Sequence, residues 1–79
     1  MDTGPIEFGD GLEVLLSAVL RSVAPGESID VATPSRTSAL ELPGWARLHG
    51  NDAVEEWSEE SEDGPRFLVR VRRGEASLV

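Results

Sequence analysis

The first point in this chain where residue types and spacing suggest chemistry is Gly9-Asp10-Gly11-Leu12, at the head of an apolar-periodic run. A helix N-terminus favours an anion, and Asp10 supplies one, with Glu13 three residues on as in a capping box. Asp10 reads either as the N-cap of that helix or as a contact for a partner or ligand. A Gly-x-Gly ahead of a helix is also one part of a phosphate-binding pattern. It is incomplete here, and the carboxylate between the glycines repels phosphate, so nucleotide binding is set aside. His49 is the only histidine. Near the end of a second helix it suits exposed carbonyls, and no second histidine joins it in a metal site. Serines are present without a placed base, so no nucleophile is activated.

A second concentration is acidic. Seven of the fifteen carboxylates fall between Asp52 and Asp63, at spacings unlike a calcium loop. Arg66, Arg70, Arg72 and Arg73 on the following strand are candidate cross-strand partners. Seven carboxylates outnumber four arginines, which leaves a protein-docking surface as the competing reading. Trp45 is expected in the core, whereas Trp57 stands in an acidic strand and is a candidate interface anchor.

Composition narrows the function classes. With zero cysteines, disulfides, thiolate metal sites and persulfides carried by this chain are ruled out. A net charge of −8 disfavours nucleic acid and anionic membranes, since phosphate neutralisation needs Lys and Arg. All seven basic residues are arginine, so lysine chemistry is absent too. No apolar run reaches the length of a membrane span, and no signal-peptide core precedes the first helix. A cytoplasmic protein without cofactor or metal is the expectation.

These residues need elements to hold them. Leu12, Leu15, Leu16, Val19, Leu20 and Val23 recur at helical spacing and predict a helix over about 11–23, stopped by Pro25-Gly26. Ile6–Phe8 is a candidate short strand, and Ser28–Ala32 alternates as a half-buried one. Thr33-Pro34-Ser35 is a turn able to cap a second helix over about 37–49, ended by Gly50-Asn51. Asp52–Glu60 and Pro65–Arg72 form a hairpin through Glu62-Asp63-Gly64. Val54 and Trp57 fall on opposite faces under strict alternation, and a bulge or an early strand end would reconcile them. Arg73–Val79 carries no pattern.

The segment GDGLEVLLSAVLRSVAPGE resembles the first helix of the TusA-like (SirA-like) sulfur carriers, where Cys-Pro-x-Pro opens the helix and Pro-Gly-Glu follows it. Counted back without gaps from Pro25-Gly26-Glu27, the family's cysteine falls on Gly9. Leu42-Pro43-Gly44-Trp45 matches the family's Ile-Pro-Gly-aromatic segment, which implies one kinked second helix despite the internal proline.

The resemblance covers about 6–74. It implies an α+β two-layer α/β sandwich of order β-α-β-α-β-β, with a four-stranded mixed sheet and two helices on one face. One domain over 1–79 is expected, structured from about 6 to 74, with 75–79 as a flexible tail. Without the cysteine, the implied role is a non-catalytic protein-binding or accessory subunit, docking through Gly9, Asp10, Gly11, Leu12 and Trp57. The alternative is a sulfur-transfer component whose partner supplies the reactive cysteine. The chain alone is not expected to be an enzyme.

Overall fold

The computed structural model describes residues 1–79. The elements run α1 (Leu12–Arg21), β1 (Ser28–Thr33), α2 (Arg36–Leu48), β2 (Asp52–Ser61) and β3 (Gly64–Arg72). β3 takes the centre of a three-stranded sheet of order β1-β3-β2. It is antiparallel to both neighbours, with Val31 opposite Val69 on one side and Trp57 opposite Leu68 on the other. β1 and β2 run the same way, joined through α2, with β3 between them.

One face of the sheet carries the core. Ile29, Val31, Phe67, Val69 and Val71 point to that face, where Leu12, Leu16 and Leu20 of α1 meet Ala39, Leu42 and Ala46 of α2. The period-2 alternation of the strands and the i, i+4 spacing of the leucines place both helices on this face. The chain is therefore α+β and two-layered, but its sheet is neither four-stranded nor mixed.

The expected first strand at Ile6–Phe8 does not form. Its central carbonyl, on Glu7, is drawn into turns by the Asp10 and Leu12 amides at 2.9 and 3.4 Å. Ile6 and Phe8 lay their side chains on the core instead of pairing their backbones. What remains of a parallel partner lies upstream as a single bridge between Asp2 and Ala32. Ala32 donates to the Met1 carbonyl at 2.7 Å and accepts from the Thr3 amide at 2.9 Å.

α2 is one helix through Pro43, whose ring is buried. Ser35 is its N-cap and accepts from the Ser38 amide at 3.1 Å. The Ser35 hydroxyl also donates to Glu7, tying the N-terminal segment to this helix. At the other end Gly50 turns left-handed at φ 80°. The Gly50 amide reaches the Arg47 carbonyl at 3.1 Å and the Asn51 amide reaches Ala46 at 2.8 Å, the paired bonds of a Schellman stop.

The patternless end of the chain is held in place. Buried Asn51 accepts from the Gly74 amide at 3.0 Å and donates to the His49 carbonyl at 3.2 Å. Leu78 donates to the same carbonyl at 2.8 Å, and Val79 packs on the core. Arg73 does not join the cross-strand row. Its Nη1 donates to the carbonyls of Arg21 and Val23 at 3.0 and 2.7 Å, satisfying the exposed end of α1 and complementing its dipole.

Candidate functional site

The loop at the head of α1 differs from its sequence reading. Gly11, not Asp10, is the N-cap, at φ 104° and without a side-chain cap bond. A residue in that left-handed region favours glycine, and its geometry leaves Asp10 one position too early to reach the first-turn amides. The Asp10 side chain is exposed. Half of the capping box survives in shifted form, as Glu13 Oε2 accepts from the Gly9 amide at 3.3 Å.

Asp10→Ala should accordingly change unfolding free energy by no more than about 0.5 kcal/mol, as for a surface site. A working cap would cost about 1 kcal/mol. Urea denaturation separates the two, and a loss of the larger size would restore Asp10 as the cap.

Of the docking candidates, Gly9 and Asp10 are exposed and Gly11 is partly so, but Leu12 is completely buried. Its side chain serves the core and offers a partner nothing. Trp57 lies elsewhere, because the pleat that puts Val69 on the helix face puts Leu68, and Trp57 opposite it, on the open face of the sheet. The loop and Trp57 therefore do not form one surface.

The expected bulge is present, with the register shifting between Ala53 and Glu55. It leaves Val54 extra and turns Glu55, Trp57 and Glu59 to the open face, opposite the arginines. There Arg70 lies over the Trp57 ring at 5.3 Å and donates through Nε and Nη2 to Asp30 at 2.7 and 3.2 Å, and through Nη1 to Glu55 at 2.9 Å. Arg72 pairs with Asp52 at 3.1 Å, and Arg66 with Asp2 at 3.2 Å and Glu59 at 3.7 Å. Trp57 is half-buried, its indole N–H 3.3 Å from Glu59.

The two hydrogen bonds from Arg70 hold the Asp30 carboxyl below its usual range, against a smaller opposing effect of desolvation and with help from the Arg70 charge. Arg70 is raised in turn by the same bond. A carboxyl with a lowered folded pKa contributes stability above its unfolded pKa and loses it as pH falls through the folded value. Thermal melts should therefore decline below about pH 4, and less steeply in Asp30→Asn. An unchanged acid slope in that variant would remove Asp30 as a source. Both groups are well exposed, so the effect is small.

Of the seven hairpin carboxylates, Asp52, Glu55 and Glu59 have arginine partners, while Glu56, Glu60, Glu62 and Asp63 have none. Glu56 stands opposite Val69, on the helix side of β2. It borders a groove of about 360 Å³ between β2 and the start of α2, lined by Arg36, Ala39, Leu40, Ser58, Phe67 and Val69 among others. Leu40 is 69% exposed there.

His49 caps α2, its Nδ1 2.9 Å from the Trp45 carbonyl and its ring 4.8 Å from the Trp45 ring. Trp45 is half-buried against the core and Phe8. No grouping of three or more His, Asp or Glu side chains is arranged to hold a metal ion, and no helix is long and apolar enough to cross a membrane. Comparison with protein-family models, with curated proteins and with solved structures finds no match to this chain.

Proposed function

We propose that this chain is a non-catalytic protein-binding domain, acting as an accessory subunit. The observation that supports the reading is the surface around β2. On its helix side an exposed leucine and the unpaired Glu56 border an open groove, and on its open side stands a half-exposed tryptophan. Such a surface has the aromatic anchor and apolar area of an interface, but no nucleophile paired with a base. The sulfur-carrier resemblance contributes only the expectation that Gly9 stands where a cysteine would, which leaves docking without sulfur chemistry.

The test is quantitative affinity capture from the native host, comparing the wild-type protein with Trp57→Ala. A protein held by the wild type, and reduced with a variant whose melt is unchanged, supports the reading. Identical recoveries from both and from a bare support overturn it. Incubation with a cysteine desulfurase and labelled cysteine should leave the chain unlabelled, and covalent label would make it a participant in the chemistry.

A further inference from the structure

β2 is an edge strand. Its inner side pairs with β3 from Asp52 to Ser61, interrupted at the Val54 bulge, and no strand or loop bonds its outer side. A free edge of this length is a template for another strand, and proteins commonly blunt such edges with charge. The charge here is of one sign. Glu55, Glu56, Glu59 and Glu60 stand along β2, with Glu62 and Asp63 at its tip. A second copy pairing along the same edge would set carboxylates against carboxylates, which is destabilising. Blunting alone does not account for Trp57 on the open face or for the half-apolar groove beside Glu56 on the helix face, which Arg36 also lines.

We propose that the free edge of β2, together with the groove beside it, docks a basic extended segment of a partner protein as a fourth strand. This rests on the protein-binding reading above. Backbone hydrogen bonds along the edge supply affinity, and alternate side chains supply specificity. On the helix side an added strand meets Glu56, Ser58 and Glu60, so arginine or lysine there finds the carboxylates that no arginine of this chain neutralises. An apolar side chain between two such cations reaches the groove walled by Leu40 and floored by Phe67. On the open side the added strand runs beside Trp57, which offers a flat face to an aliphatic or guanidinium group.

The probe is the seven-residue peptide Thr-Arg-Thr-Val-Thr-Arg-Thr, whose two arginines and central valine share one face of a strand, matched to Glu55–Ser61 at ~3.4 Å per residue. Its controls are the counterpart with glutamate in place of arginine, an oligoarginine of equal length, and the same peptide N-methylated at alternate residues to block strand pairing. Binding by isothermal calorimetry, with amide shifts concentrated on β2, is the expected result. The double replacement Glu56→Gln and Glu60→Gln should weaken it about tenfold, roughly the effect of one lost charge-assisted contact. Leu40→Lys should weaken it as well, and N-methylation should abolish it.

Equal binding of oligoarginine or the N-methylated peptide reduces the effect to charge attraction and overturns the proposal. So does absence of binding at millimolar peptide, or a dimer of this protein that pairs through β2. If capture recovers a partner that saturating peptide fails to displace, strand addition at β2 falls while the protein-binding reading stands. Displacement of that partner by the peptide supports both.

Discussion

Gly74→Ala should leave the protein close to unfolded at 25 °C. A Cβ at Gly74 would be driven into the carbonyl oxygen of Gly50, a backbone atom that cannot swing aside. Gly50 has no room to retreat, because a Cβ on it would itself lie 2.6 Å from the Ala76 carbonyl oxygen and its φ is already +80°. The two backbones cross in direct contact. Relief requires residues 74–79 to lift away, which breaks the Leu78–His49 bond, removes Val79 from the core and leaves the buried Asn51 amide without its Gly74 partner. An orphaned buried polar group adds its own desolvation cost.

We expect a loss of about 3–5 kcal/mol, in the range of backbone strain joined to a broken network. For a chain of this size that is comparable with the total, at ~0.05–0.15 kcal/mol per residue. Gly44→Ala is the internal control. Gly44 lies inside α2 with open space where its Cβ would go, so the same replacement should stabilise by about 0.5–1 kcal/mol. Denaturation midpoints moving in the same direction for both would refute the packing argument.

Leu16→Ala is expected to cost about 2–5 kcal/mol, the range for emptying a leucine site in a packed core. The backbone of α2 lies close to all three strands, whereas that of α1 stands farther off. Side chains must span that distance, and Leu12, Leu16 and Leu20, each completely buried, are the ones that do. Leu16 is the middle of the three, so collapse around its loss has to drag the whole helix inward. Leu15, one residue away and 40% exposed, should lose no more than about 1 kcal/mol on the same change. Urea titrations with an unchanged slope would check both values. Equal losses at the two positions would mean that α1 is rotated from the orientation described.

The contrast between Leu15 and Leu16 marks how far pattern alone reads. Helical spacing identified α1 and its apolar side, yet it admitted six residues to a stripe of which only three are fully buried. Local signals were legible where they act locally. Ser35 before α2, Gly50-Asn51 after it, the Phe67-Val69-Val71 alternation and the need for a bulge near Val54 all have causes within a few residues. Pro43 inside a single helix was not legible from periodicity alone.

Ile6–Phe8 misled because alternation over three residues is equally compatible with a strand and with a loop whose apolar side chains pack on a core. Asp10 misled because cap preference says nothing of the left-handed turn at Gly11 that displaces it. The site was legible in type but not in place. An acidic strand facing arginines was plain, but which carboxylates stay unpaired depends on the side of the sheet each occupies after the bulge. Arg73 was grouped with its neighbours by spacing, yet β3 ends at Arg72 and the next guanidinium turns to α1.

That guanidinium bears on the order in which the protein assembles. A ten-residue helix is too short to persist by itself in water. α1 has its last carbonyl satisfied by a residue 52 positions later in the chain. That closing contact can exist only once β3 has been laid against β1, so α1 is expected to be among the last elements secured. Contacts of such sequence separation slow folding. α1 is therefore expected to consolidate after the sheet, with low φ-values at Leu12, Leu16 and Leu20 in refolding kinetics.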